Sequence, residues 1–427
     1  MNRLLFFPAV LAAAILPAAA EQSTVGGLLI NGSTTKPEII GRLLDTKPGA
    51  SFTPALWSED LRRLANSGYF YDVQGGSRAA GPGQIHLDLN LKNKFSTIPI
   101  FKFKQGGGTS QLTVGLYEVN AFHRLLEIGG QYERMNAKDG GVVWFRHPYF
   151  GLRKNRLGAE LYAHTLNLPL LSKKGEPQAH FDNEEIRGHL WLEREISPRF
   201  KTALTLNCYR NGFEADDSTA EQAARNGAFL QNNRLNSGRT ASLTPGAIWG
   251  RLDQDDHLVE GRRLKIQAEL ADRALGSQFE FVKLEAEAAA ALVAGERWNL
   301  AGQARMGTKS GHEFQHKFYL GGLDTVRGFL DGQFRGEHMW LVNLEARPTI
   351  LERPLWTLQG NLFADASKTW DARGFGAEGF RNPFLSFGAG LRLIVPRIYR
   401  AIIRLDAART QEPLRQWGLS FGLQQFF

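Results

Sequence analysis

The sequence predicts a transmembrane antiparallel β-barrel of about sixteen strands behind one small α+β (β-α-α-β-β) module. Three observations carry that reading. After the N-terminus no apolar run reaches the length of a spanning helix. From Ser96 onward, segments of alternating polarity recur about every 20 residues. The last of these, Trp417, Leu419, Phe421 and Leu423 followed by terminal Phe427, is an alternating apolar series that ends on an aromatic residue.

Residues 1–20 read as a secretory signal. Arg3 supplies the positive end, Leu4 to Leu16 the apolar core, and Ala18-Ala19-Ala20 a small-residue cleavage site. That route leads to an oxidising compartment, yet Cys208 is the sole cysteine, so strand pairing and packing must hold the fold without an intrachain disulfide. The 427 residues carry 22% charged and 11% aromatic side chains and 46 glycines, with a mean hydropathy of -0.29. Half of each barrel strand faces a polar lumen, so such values suit a barrel as well as a soluble protein. The net charge of +8 and pI near 9.5 fit acidic lipid head groups. The basic residues are dispersed along the chain, which argues against nucleic acid as a partner.

Residues 21–95 form the predicted small module. Thr24 to Ile30 reads as a strand, Asn31-Gly32 as a turn, and Lys36 to Leu44 as a helix with Thr34 or Thr35 as its cap. Pro54 to Asn66 reads as a second helix, with Trp57, Leu61 and Leu64 at helical spacing. Tyr69 to Gln74 and Ile85 to Leu91 then alternate as strands joined by a glycine-rich turn.

Residues 96–427 form the predicted barrel. With the small module at one end, connections alternate between the two ends, and the long ones, Leu166 to Asn183, Asn211 to Leu235, Lys309 to Gln333 and Trp370 to Asn382, all fall at the other end. A β-sandwich has no reason to sort its loops this way. Facing follows from the period of two. Trp340, Val342, Leu344 and Ala346 share one face, so Asn343, Glu345 and Arg347 share the other; Asp365, Arg404 and Asp406 lie opposite the apolar residues of their own strands. An ionised group facing lipid costs about 2 to 4 kcal/mol at the midplane, which turns these charges into the lumen.

Within the predicted inward-folded loop 309–333 lies Gly321-Gly322-Leu323-Asp324-Thr325-Val326-Arg327-Gly328-Phe329. Glycines let a backbone approach a wall closely, and Arg327 offers a planar fork of donors suited to bidentate pairing with a confined carboxylate.

Together these features resemble the BamA and two-partner-secretion transporter superfamily of outer-membrane barrels. The small module resembles a polypeptide-transport-associated (POTRA) domain through Ile30-Asn31-Gly32, Gly49-x-x-Phe52, Leu61-Arg62-Arg63-Leu64 and Gly68-Tyr69-Phe70-x-x-Val73. Gly321, Gly322, Val326, Arg327, Gly328 and Phe329 match the family's loop motif, Phe363-x-Asp365 its inner-wall motif, and Phe427 its C-terminal assembly signal. The resemblance implies that Arg327 meets Asp365 and Glu345, and that the small domain lies in the periplasm of a Gram-negative bacterium. There it would capture unfolded polypeptide clients by strand addition. Barrel insertion or secretion is the implied work, with periplasmic or lipoprotein accessory partners and lipid around the barrel. A passive pore is the alternative. The chain departs from the family in having room for only one such domain and in carrying Ser367 where the strand motif often has Gly.

One enzyme-like motif appears, His312-Glu313-Phe314-Gln315-His316, which fits the His-Glu-x-x-His zinc pattern. Its segment is too short for the required helix and shows no third ligand, so neither catalysis nor a metal or other cofactor is expected.

Overall fold

The computed structural model describes residues 23–106, 109–135, 138–150, 154–255, 257–322, 324–371, 374, 376–398 and 401–423. The signal-like segment and Phe427 lie outside the described residues, as does the side chain of Leu423.

The small module comprises β1 (Thr24–Asn31), α1 (Pro37–Leu43), α2 (Pro54–Asn66), β2 (Phe70–Gly81) and β3 (Gln84–Asn93). β3 is central, with β1 parallel on one side and β2 antiparallel on the other. Its alternation explains that position, because Ile85, Leu87, Leu89 and Leu91 all turn inward onto Ile39 and Ile40 of α1 and Trp57 and Leu64 of α2. Two expectations are corrected. Neither Thr34 nor Thr35 caps α1: the cap position is Lys36, and Thr35 instead bonds Asn93 and Asn120. Pro37 lessens the need for a cap, since it has no N–H to satisfy. The glycine-rich stretch after Gln74 is strand rather than turn, because β3 offers ladder partners along its whole length and the chain pairs with them up to Gly81.

The barrel is a sheet of sixteen strands in sequence order. It runs from the first strand (Thr97–Gly106) to the sixteenth (Trp417–Leu423), which lie side by side. Four strands stand longest: the fifth (Asn155–Leu171), sixth (Pro177–Ser197), seventh (Phe200–Ala215) and eighth (Gly238–Asp255). A tilted strand crosses a bilayer in about 9 to 11 residues, so these project beyond it at the end away from the small domain. Much of the loop expected from Leu166 to Asn183 is therefore strand, with Leu170 and Phe181 packed against Phe229 and Phe314. Phe229 belongs to a helix within the loop expected from Asn211 to Leu235, α3 (Ala220–Asn232), which opens with Thr219 accepting from the Gln222 amide. Thr219-x-x-Gln222 is a capping signal that the sequence reading passes over.

Parity divides the wall cleanly. In the twelfth strand (His338–Glu352), Leu344 is 56% exposed on the exterior while Asn343 and Glu345 are buried inside. The small domain docks on its end of the barrel through polar contacts: Lys154 to Asp45 (3.0 Å), Arg251 to Glu59 (2.6 Å) and Asn66 to Asp253 (2.8 Å). Burial pushes the Asp45 carboxyl up, but Lys154 and Arg63 outweigh it and hold the pKa below the usual carboxylate value.

Candidate functional site: a clamped lumenal loop

The connection between the eleventh strand (Trp298–Lys309) and the twelfth carries the glycine-flanked arginine. A short hairpin, Phe318–Leu320 with Phe334–Gly336, forms its neck. Phe334 stacks on Phe384 of the fourteenth strand (Phe384–Val395), and Phe329 meets Phe334 edge-on. With Val326 and Leu341 these rings form a cluster that holds the loop against the inner wall.

Beyond the neck, Arg327 is fully buried. Its Nε and Nη2 donate to the two oxygens of Asp365 on the thirteenth strand (Thr357–Trp370) at 2.9 and 2.7 Å. Its Nη1 donates to Glu345 at 2.6 Å, and its backbone N–H also bonds Asp365 at 3.1 Å. The guanidinium plane lies over the Phe363 ring, 3.5 Å from the centroid. Every feature that favours Arg over Lys is used here: a bidentate fork, a permanent charge and a face that stacks.

The acids are shared further. Glu345 accepts from Arg347 Nε at 2.6 Å and from Arg392 Nη1 at 3.1 Å. Asp406, on the fifteenth strand (Ala401–Thr410), lies 3.8 Å from Arg327 Nη1, and Arg404 on the same strand pairs with Asp324 at the rim of the loop (3.1 Å). Asn343 donates to Asp365 (2.8 Å) and to the Thr325 carbonyl (2.7 Å), joining wall to loop. In low dielectric such a network is stable only when nearly every charge is paired.

The glycines make the approach possible. Gly328 has φ +89°, and a Cβ there would lie 2.8 Å from Thr410 Cγ2. Across from it, a Cβ on Gly418 of the sixteenth strand would meet Gly328 Cα at 2.8 Å. The loop thus passes over the last strand at a point where both backbones lack side chains, and Gln416 donates to the Gly328 carbonyl at 3.0 Å. Trp417, Leu419 and Phe421 point to the exterior on that strand.

Sequence parity turns Arg347, Arg404 and Asp406 inward without giving them partners. It passes over Arg392, although the same period of two would reach it, since Leu391 and Leu393 lie opposite. The stacking of Phe363 on the guanidinium face is invisible to parity, which predicts only that the ring points inward.

On the other side of the lumen is a cavity of about 590 Å³, lined by Glu185, Arg187, Tyr209, Glu269 and Lys283 among others. His316 borders it, buried against Phe281 and 3.3 Å from Tyr209 Oη. Burial, then the charges of Lys309, Lys283 and Arg187, pull its pKa down to about 3. His312 of the same motif is mostly exposed, 3.6 Å from Glu337. Among the described residues no group of three His, Cys, Asp or Glu converges on a metal position.

Comparison with known proteins matches residues 126–427 to the model of the Omp85 superfamily domain and residues 23–94 to a POTRA model, described as a surface antigen variable number repeat. Among solved structures, CdiB from Escherichia coli superposes with a TM-score of 0.65 at 14% identity, over 94% of this chain and 75% of that one. CdiB from Acinetobacter baumannii gives 0.63 at 14%, over 95% and 74%. BamA from Haemophilus ducreyi lacking POTRA domains 1-3 gives 0.57 at 14%, over 94% and 83%.

Proposed function

The chain belongs to the Omp85 superfamily, and from that premise we propose that it assembles or translocates polypeptides at the outer membrane of a Gram-negative bacterium, with its POTRA domain in the periplasm. It does so as a non-enzymatic conduit or assembly factor. The observation that carries this reading is a free sheet edge and a clamped barrel loop in one chain. β2 lies at the edge of its sheet, and its residues beyond Gly75 are exposed. An extended client adds there through backbone hydrogen bonds, which tolerate any sequence lacking proline at the bonding positions. The docked small domain then delivers it to the barrel, whose competent state is held by Arg327 on Asp365 and Glu345. Trp417, Leu419, Phe421, Leu423 and Phe427 serve as the signal by which the barrel itself is assembled.

The deciding experiment compares native protein with Arg327→Ala in cells. Export or membrane insertion of clients should fall while barrel abundance stays near normal; unchanged client handling would defeat the reading. The open cavity across the lumen favours one competitor, a passive pore. Steady bilayer conductance, with no change in outer-membrane or secreted proteins after depletion, would select that competitor.

A further inference from the structure

A second cavity, of about 700 Å³, lies at the end of the barrel that carries the small domain, between Tyr71 of β2 and three turns of the barrel wall. Each turn contributes one arginine. Arg297 comes from the turn between strands ten (Phe281–Ala294) and eleven, Arg353 from that between twelve and thirteen, and Arg397 from that between fourteen and fifteen. All three are exposed, and among the described residues none forms an ion pair. This sets them apart from the arginines of the lumen and of the domain junction, which face carboxylates. Glu352 also lines the cavity, and three guanidinium groups against one carboxylate leave it cationic.

The surroundings are apolar on the exterior side. Ile350, in phase with Leu344 along the twelfth strand, lines the cavity and is half exposed on the same face. Leu355 stands exposed on the turn that carries Arg353, and Trp298, the first residue of the eleventh strand, stands exposed next to Arg297. Arg397 is held in place: its carbonyl accepts from the Phe95 amide at 2.9 Å, and its guanidinium lies 5.7 Å from the Tyr71 ring centroid. Unpaired forks set above an apolar skirt with a tryptophan at its edge match one ligand chemistry, a phosphodiester carrying acyl chains.

We propose that this cavity binds the head group of a glycerophospholipid, with the phosphate on Arg297, Arg353 and Arg397 and the acyl chains over Ile350, Leu355 and Trp298. The inference rests on the membrane placement proposed above, but not on any client.

The test is native mass spectrometry of the full chain in detergent with added phosphatidylglycerol. The native protein should retain one lipid, and the triple variant Arg297→Gln/Arg353→Gln/Arg397→Gln should bind it about 100-fold more weakly, at about 1 kcal/mol for each arginine. Heat-modifiable gel migration reports whether that variant folds, and Arg134→Gln/Arg273→Gln/Arg415→Gln, three exposed arginines at the opposite end of the barrel, controls for loss of the same charge. Inorganic phosphate in excess should fail to displace the lipid, and diacylglycerol should fail to bind. Equal retention by the triple variant, displacement by free phosphate, retention of diacylglycerol, or displacement by an acidic peptide at equal concentration would each overturn the assignment. The readout involves no client, so its failure is separate from failure of the transport reading.

Discussion

Two arcs of one barrel wall follow the same alternating pattern and end in opposite states. Along strands twelve to fifteen the inward charges, Glu345, Arg347, Asp365, Arg392, Arg404 and Asp406, are almost wholly sealed from solvent and tied to the Arg327 loop. Along strands six to eleven several inward charges pair with wall neighbours, as in Arg187 with Glu185 (2.5 Å) and Arg263 with Glu287 (2.7 Å), and Glu185, Arg187, Glu269 and Lys283 border an open cavity. Composition does not distinguish the arcs; the occupant does. A lumenal carboxylate becomes part of a clamp only where a loop delivers a cation to it, and otherwise it lines wet space.

Arg327→Ala should break the contrast most severely. It leaves Asp365 buried with its main donor gone and takes from Glu345 one of three arginine partners, and removing one partner of such a group costs about 3 to 5 kcal/mol. The loop should then become cleavable between Phe318 and Gly336 in limited proteolysis, a region the intact clamp protects. Adding Asp365→Asn should restore part of the loss, since the orphaned charge disappears while Glu345 keeps its bonds to Arg347 and Arg392; strictly additive effects would mean the groups do not interact.

Gly328→Ala should act next. It forces a side chain into a φ that disfavours one and against Thr410, costing about 1 to 3 kcal/mol. Protease exposure of the loop should follow although no charge has changed. An unaltered digestion pattern would show that the loop does not need its close passage over strands fifteen and sixteen.

Phe363→Leu is a finer probe, because it keeps every hydrogen bond and removes only the ring under the guanidinium. A desolvated cation–π contact is worth about 2 kcal/mol or somewhat more, less than the loss of a buried ion-pair partner, so the variant should lower the unfolding midpoint modestly and leave the loop docked at room temperature. A loss as large as that of Arg327→Ala would assign the clamp to stacking instead of ion pairing.

The order of these effects reflects what could be read in advance. Strand number and facing were legible because lipid penalises charge on every second residue, and that rule applies to each strand separately. The inward positions of Glu345 and Asp365 came from it. The pairing of Glu345 with Arg392, two strands away, depends on how the wall curves, and no single strand encodes that. Helix α3 and the extended hairpin of strands five and six lie where the bilayer imposes no pattern, so their packing around Phe181, Phe229 and Phe314 left only the Thr219 cap as a local trace.

The open arc supplies the smallest and most discriminating effect. Arg187→Gln removes a partly exposed cation whose partner is also within reach of solvent, so its contribution to stability should be about 0.2 to 1 kcal/mol. At 1 M salt the screening length falls to about 3 Å, and even that contribution should fade, whereas the buried Arg327 network should keep its effect. Arg187 also lines the lumenal cavity over the Tyr209 ring, so the substitution should change single-channel conductance or ion selectivity while leaving the loop protected from protease. The two readouts therefore separate by arc: stability follows the sealed wall, and permeation follows the open one. A stability loss at Arg187 that matched Arg327→Ala and persisted in high salt would mean that the wet arc is clamped as well.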